Sequence, residues 1–248
     1  MKKLLATAAA LSLLAGSSVS AQLVRIGPGA FTPLATTITF SEQPSGTVNP
    51  VYSYSGLTGL GDLTVSFAGA FTGQTVTGGS VRTLSGNPTG PLSLNTGVRT
   101  FITGDGANPT SPVLSGDPTF NGPVVILFSK AVAAVGLDGG YFNAIGGTSI
   151  TGFDALGNVL GTFTNTELGI ETYGFADASG NNVISGLAFY ITGNEPAGFA
   201  IDNVQFGARD AVNIPNVVPE PASMTLLATG LVGIFGVAIR KRKVQLTA

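Results

Sequence analysis

Carboxylates are the side chains of this sequence whose positions most suggest chemistry. Asp202 lies in the run 199–206, where apolar and other residues alternate, so it is expected to share a strand face with Ala200 and Val204. A carboxylate on a mostly apolar face needs backbone donors, a cation or a neighbouring side chain to offset its charge. Glu42 follows another strand-like run near the other end of the chain.

Aromatic side chains provide a second candidate site. Tyr52 and Tyr54 lie on one face of a possible strand and could form a stacking surface for a sugar ring. The chain has no tryptophan, which is the favoured surface for such stacking. The alternative is that both tyrosines belong to the core or its rim, as half-buried tyrosines usually do.

Several catalytic classes are excluded by composition. The sequence contains no histidine and no cysteine, so it has no Ser-His-Asp or Cys-His arrangement, no imidazole-bound zinc and no thiolate chemistry. A glycosidase using two acids, such as Asp138, Glu171 or Asp177, stays formally possible, as it does for any chain rich in acids. The sequence therefore predicts a protein that is not an enzyme and has no catalytic residues.

The elements that would position these groups are short strands. Val, Ile, Thr and Phe dominate them, Gly, Asn, Asp and Pro separate them, and no amphipathic helix is found between residues 22 and 218. This pattern predicts an all-β fold, a single β-sandwich. The predicted strands are Thr36–Phe40, Leu63–Ala68, Val98–Thr103, Val124–Phe128, Ala133–Leu137, Thr148–Phe153, Val159–Phe163, Val183–Ile191 and Phe199–Phe206.

The charge of residues 22–218 limits the possible partners. This part carries five basic and twelve acidic residues, a net charge of −7, with no basic run. Such a surface argues against nucleic acid as a partner. It is compatible with divalent cations, although an acidic surface most often serves solubility.

The N-terminus has the parts of a secretory signal peptide. Lys2 and Lys3 precede an apolar stretch from Leu4 to Gly16, and Val19-Ser20-Ala21 is a small-residue cleavage site. Residues 1–21 are therefore predicted to be a signal peptide, with the mature chain starting at Gln22.

The C-terminus combines a short motif, an apolar stretch and a basic run. Pro219, Glu220 and Pro221 lead into uncharged residues 222–239, which as a helix would rise about 27 Å, close to the thickness of a bilayer core. The cluster Arg240, Lys241, Arg242 and Lys243 would stay on the cytoplasmic side, which predicts a single transmembrane helix with the body outside.

This C-terminal arrangement resembles the PEP-CTERM sorting signal of bacterial exported proteins. The resemblance covers about residues 217–243. It implies an exosortase-like processing protease as a partner and single-pass anchoring in the bacterial inner membrane before processing. It then implies a place at the cell surface or outside the cell, in an envelope, matrix or biofilm linked to exopolysaccharide. The predicted domains are a signal peptide 1–21, a sandwich 22–209, a linker 210–218 and a sorting signal 219–243.

A second resemblance concerns the body. The phrase Gly-Phe-Ala-Ile-Asp-Asn-Val at 198–204, with the segment 39–47, is similar to the last and first strands of jelly-roll sandwiches in PEP-CTERM proteins and carbohydrate-binding modules. It implies a jelly-roll-like body in which Glu42 and Asp202 hold a structural calcium ion through oxygen ligands. It also leaves a carbohydrate-binding module with glycan affinity as the alternative function.

Overall fold

A computed structural model describes residues 23–214 as fifteen antiparallel strands and one short 3₁₀ turn. The predicted signal peptide, the Pro-Glu-Pro motif, the apolar stretch and the basic cluster lie outside the described residues. The strands are β1 Leu23–Ile26, β2 Thr36–Ile38, β3 Val51–Leu57, β4 Gly61–Ala68, β5 Thr75–Gly78, β6 Arg82–Ser85, β7 Thr100–Thr103, β8 Val113–Gly116, β9 Val124–Val132, β10 Ala134–Phe142, β11 Thr148–Phe153, β12 Val159–Thr164, β13 Gly169–Asp177, β14 Ile184–Ile191 and β15 Ala200–Gly207.

Within residues 23–214 the structure contains no helix with the length and apolar character of a membrane span.

Seven strands form the first sheet, in the order β1-β13-β10-β15-β8-β7, and β2 also pairs with β15. The last strand, β15, is central. One of its edges pairs with β10, and its other edge is divided between β8, where Ile201 lies opposite Leu114, and β2, where Val204 lies opposite Ile38. Three segments distant in sequence therefore meet on β15.

Six strands form the second sheet, in the order β12-β11-β14-β9-β4-β3, and β5 and β6 form a separate hairpin. The turn between β11 and β12 is built as its sequence predicts. Asp154 accepts hydrogen bonds from the backbone N–H groups of Leu156 and Asn158, and Gly157 adopts φ 82°. Such a left-handed conformation favours glycine because it lacks a Cβ.

The two sheets pack face to face around one main core, as in a β-sandwich. Alternate residues of the facing strands point into it, and many are aromatic. Examples with 0–3% exposure are Phe67, Phe128, Phe175, Phe189 and Phe206. A second cluster lies on the outer face of the second sheet, where Phe71 and Leu84 pack against Phe153 beneath the segment that contains β5 and β6.

All nine predicted strands are present, and the all-β sandwich is confirmed. The sequence pattern did not predict β1, β5, β6, β8 or β13, and β3 was only a possible strand. The longest omission is β13, whose sequence GIETYGFAD places two glycines and two acids among the apolar residues that mark a strand. Because β13 lies between β1 and β10, its neighbours supply the pairing that its own pattern does not signal.

The folded body continues beyond residue 209, where the sequence predicts a linker to begin. Ala211 and Val212 are 3% and 2% exposed, and Val212 forms a β-bridge with Phe31. The backbone N–H of Asn213 donates to the carbonyl of Ala30. The apolar residues 211 and 212 thus cover the outer face of the first sheet, so residues 210–214 belong to the folded body and not to a linker.

Candidate functional site

The structure places Asp202 at a β-bulge. Gly136 pairs with Gln205 and Asp138 with Asp202, so β15 has one more residue than β10 in this interval. Asn203 is the extra residue and adopts φ 48°. The bulge interrupts the alternation, so Val204 joins the core. The prediction that Asp202 shares a face with Val204 was therefore wrong.

Asp202 is fully buried on the outer side of the first sheet, opposite Asp138 on β10. Its two carboxylate oxygens have different partners. Oδ1 accepts a hydrogen bond from the backbone N–H of Asn203 at 2.7 Å, and Oδ2 lies 2.5 Å from Oγ1 of Thr110. A backbone N–H and a side-chain hydroxyl therefore act as the hydrogen-bond partners that a carboxylate in a mostly apolar strand needs.

Asp138 and Asn203 extend this network. The Asn203 amide donates to Oδ2 of Asp138 at 2.9 Å and to Oγ1 of Thr110 at 3.2 Å, and the Thr172 hydroxyl donates to Oδ1 of Asp138 at 2.7 Å. Sequence reasoning did not connect Thr110 or Asp138 with Asp202. The Asn203 amide thus connects Asp138 with Thr110, which in turn bonds Asp202.

One proton is missing from this network when Asp202 is ionised. The Thr110 hydroxyl has a single proton but faces two acceptors, Oδ2 of Asp202 and Oδ1 of Asn108 at 3.0 Å. A protonated Asp202 can donate to Thr110, which then donates to Asn108. Burial raises the pKa of Asp202 to about 6, and the charges of Asp138 and Glu42 add to this rise against the hydrogen bonds from Thr110 and Asn203.

Glu42 lies in the loop after β2, the strand that pairs with β15. Its Oε1 accepts hydrogen bonds from the backbone N–H of Thr39 at 2.9 Å and from the Thr39 hydroxyl at 3.0 Å. Its charge adds to the rise in the pKa of Asp202, after burial as the main cause. The structure gives no direct contact between the two acids.

The region has oxygen atoms of the kind that calcium prefers, namely carboxylate, hydroxyl and side-chain amide oxygens. In the part of the chain that the structure describes, no three acidic side chains converge into a metal-binding group. A calcium site at Glu42 and Asp202 would therefore need hydroxyl, amide or water oxygens to complete it. The donor chemistry fits calcium, and the number of converging acids is small.

Tyr52 and Tyr54 point toward the core. Tyr52 is 7% exposed and packs edge-on against Phe40 and Phe67, while the ring of Tyr54 packs against Phe206. Burial raises the pKa of Tyr54 to about 12, with the charge of Glu42 adding to it. This corrects the predicted sugar platform, because two rings packed in this way do not offer a face to a ligand.

The acids that would permit a glycosidase are engaged elsewhere. Glu171 is 4% exposed and forms an ion pair with Arg25, and Asp177 accepts hydrogen bonds from Ser179 and Asn181 within its own turn. Asp138 bonds Thr172 and Asn203. Each carboxylate has a local structural partner.

The comparisons with known proteins concern the C-terminus and the body separately. Residues 217–243 match the family model described as the PEP-CTERM protein-sorting motif. This confirms the motif that the sequence predicts around Pro219, Glu220 and Pro221. It indicates an exported protein. No curated protein matches the sequence.

Two solved structures similar to the body are mutants of a family 29 carbohydrate-binding module, the second in complex with mannohexaose. They are 14% and 15% identical to this chain, cover 73% and 68% of it, and are themselves covered over 98% and 99% of their length. Their TM-scores are 0.29 and 0.26. Scores at this level do not define a shared fold.

Proposed function

We propose that this chain is a non-catalytic cell-envelope or extracellular-matrix protein, linked to exopolysaccharide or biofilm. In this proposal residues 1–21 direct export, and an apolar helix at 222–239 with the basic cluster 240–243 holds the chain in the inner membrane. An exosortase-like protease then processes the C-terminus, and the body reaches the cell surface or the medium.

The observation that carries this proposal is the sorting motif at residues 217–243. The motif follows an all-β body in the sequence, as expected for a sorting signal attached to a folded domain. The non-catalytic role is supported by the chain's lack of histidine and cysteine and by the structural partners of the acids most suited to glycoside hydrolysis. A polysaccharide-active enzyme is accordingly the least favoured alternative.

Processing at the motif gives the direct test. In a bacterium that has the protease, mass spectrometry of the released protein should show a C-terminus near Pro219-Glu220-Pro221. Replacing these three residues by alanine should leave the protein membrane-bound and uncut, because the protease would lack its recognition motif. Pro215→Ala, outside the matched residues, is the control and should be processed normally. Released wild-type protein that retains Lys243 would contradict the proposal.

The alternative function is a carbohydrate-binding module with specific glycan affinity. One observation favours it: the outer face of the second sheet carries a cleft whose lining is polar but uncharged. The Tyr52 and Tyr54 pair is not the basis for this alternative, because those rings pack in the core.

We also propose that Glu42 and Asp202 contribute to a structural calcium site, as the jelly-roll resemblance implies. Calcium present at 100 times its dissociation constant would stabilise the fold by about 2.7 kcal/mol. For a domain of this size the melting temperature should rise by roughly 5–10 °C. The experiment compares melting curves in calcium and in chelator at pH 7.

The control for calcium binding is Asp202→Asn, which removes the charge and should abolish the difference between calcium and chelator. Magnesium should substitute poorly because it requires strict octahedral geometry. Identical wild-type melting curves in calcium and chelator would leave Asp202 as a hydrogen-bonded carboxylate.

A further inference from the structure

A cleft of about 230 Å³ lies on the outer face of the second sheet. Strands β11, β12 and β14 line one side of it, and the segment that contains β5 and β6 lines the other. Its floor includes Thr151 on β11, Thr162 on β12 and Tyr190 on β14. Gln74, Ser85 and Asn87 line it from the other side. The cleft is smaller than the pockets of about 300–1,000 Å³ that hold drug-sized ligands, so it suits a single ring.

The lining determines which ligand chemistry fits. None of the ten lining residues carries a charge, and they combine hydroxyl and amide groups with apolar and aromatic surface. A phosphate, a carboxylate or a metal ion would enter without a compensating charge, which is costly. A neutral ring with both hydroxyl groups and C–H faces matches the lining.

The floor holds a connected set of hydroxyl groups. Oγ1 of Thr151 lies 2.9 Å from Oγ1 of Thr162 and 3.2 Å from the Tyr190 hydroxyl. The three side chains come together because β11 pairs with β12 on one side and with β14 on the other. Hydroxyl groups linked in this way can donate to or accept from a ligand by reorienting their protons. The partly buried Tyr190 also adds aromatic surface.

Gln74 contributes an amide group of fixed orientation to the cleft. The residue is 9% exposed, and its Oε1 accepts a hydrogen bond from the backbone N–H of Phe71 at 3.0 Å. That bond fixes the amide, and its nitrogen has no hydrogen-bond partner among residues 23–214 while the side chain lines the cleft. The nitrogen is therefore available to donate a hydrogen bond to a group that enters the cleft.

From these observations we propose that the cleft at Thr151, Thr162, Tyr190 and Gln74 binds one neutral pyranose unit of a glycan. The ring would lie against Tyr190, its hydroxyl groups would bond the threonines, and one ring or hydroxyl oxygen would accept from the Gln74 amide. The proposal rests on the carbohydrate-binding alternative above and specifies its binding site.

The test measures glycan binding by the full-length chain in detergent micelles, by isothermal titration calorimetry. The probes are linear hexasaccharides of glucose, mannose and N-acetylglucosamine, titrated to about 1 mM against empty micelles as the blank. At least one hexasaccharide should bind saturably. Thr151→Val, which keeps the shape but removes the central hydroxyl, and Tyr190→Ala should each weaken that binding at least tenfold.

Matched controls distinguish a failure of the proposed cleft site from a failure of the carbohydrate-binding alternative. Thr64→Val changes a threonine of β4 that is outside the cleft, and Tyr141→Ala removes a tyrosine that is 49% exposed elsewhere; neither should alter binding. Melting temperatures verify that each variant is folded, and Tyr190→Phe replaces Tyr190→Ala if the alanine variant unfolds. If the wild-type chain binds a hexasaccharide and both cleft variants bind it with the same affinity, the proposed site would be overturned but the carbohydrate-binding alternative would stand. No binding of any hexasaccharide by the wild-type chain would overturn both the site and the carbohydrate-binding alternative.

Discussion

Substituting Asp202 by Asn is expected to raise the free energy of unfolding at pH 7 by about 3 kcal/mol in the absence of calcium. The pKa of Asp202 is about 6 in the folded protein, against 3.8 as its ordinary value. A difference of this size corresponds to roughly 3 kcal/mol, at 1.36 kcal/mol for each pKa unit. Asn keeps the acceptor for the Asn203 N–H and supplies a donor to Thr110, without a buried charge.

The direction of the pH dependence follows from proton binding. Between about pH 4 and pH 6 the folded state holds a proton on Asp202 that the unfolded state has already lost. The contribution of Asp202 to stability should therefore be greatest below this range, fall as the pH rises through it, and stay low above pH 6. Asp202→Asn should remove this component of the slope.

Denaturant unfolding in chelator at several pH values between 4 and 8 measures the effect. Asp210→Asn is the matched control, because Asp210 is exposed and its side chain makes no hydrogen bond within residues 23–214. It should retain the wild-type slope. An Asp202→Asn protein that is less stable than the wild type at pH 7 in chelator would show that ionised Asp202 stabilises the fold.

Removing the cation that pairs with Glu171 should have the opposite effect on stability. Glu171 is buried and forms an ion pair with the Arg25 guanidinium. Its carboxylate also accepts hydrogen bonds from the backbone N–H and the hydroxyl of Thr166 and from the backbone N–H of Glu167. Arg25 also lies over the ring of Tyr173, 5.1 Å from its centroid. Arg25→Met keeps apolar length but leaves a buried carboxylate without its cation, which should cost about 3 kcal/mol.

Melting and denaturant curves can distinguish this effect from a simple loss of packing. Glu171→Gln introduced together with Arg25→Met should recover part of the stability, because it removes the unpaired charge. Arg99→Met is the control: it breaks an exposed ion pair with Asp117, which should cost at most about 1 kcal/mol. Equal destabilisation by Arg25→Met and Arg99→Met would show that burial does not strengthen the Arg25 pair.

The sandwich could be predicted from sequence because most of its strands carry a local signal. Thr148–Phe153 was predicted with the bounds that the structure gives, since β-branched and aromatic residues run up to a turn that begins at Asp154 and contains Gly157. The strand β13 carries no comparable signal, because glycines at 169 and 174 and the acid at 171 interrupt its apolar pattern. The position of β13 in the sheet depends on its pairing with β1 and β10, and a local sequence pattern holds no information about such pairing.

The surroundings of Asp202 were less predictable for a related reason. Its need for a partner could be inferred from its position in an apolar run, but the partner Thr110 lies 92 residues earlier in the chain. The bulge at Asn203 depends on the register between β10 and β15, and it reversed the face assigned to Val204. Likewise, the core position of Tyr52 depends on Phe40 and Phe67 from different segments.

The central place of β15 has a consequence for secretion. For a chain that crosses a membrane from its N-terminus, this strand is the last of the fifteen to emerge, yet three earlier strands need it as their partner. The first sheet therefore cannot be completed until β15 has emerged, whereas the second sheet pairs without this strand. A chain interrupted before residue 200 would leave the edges of β10, β8 and β2 unpaired, a state prone to aggregate and open to proteolysis.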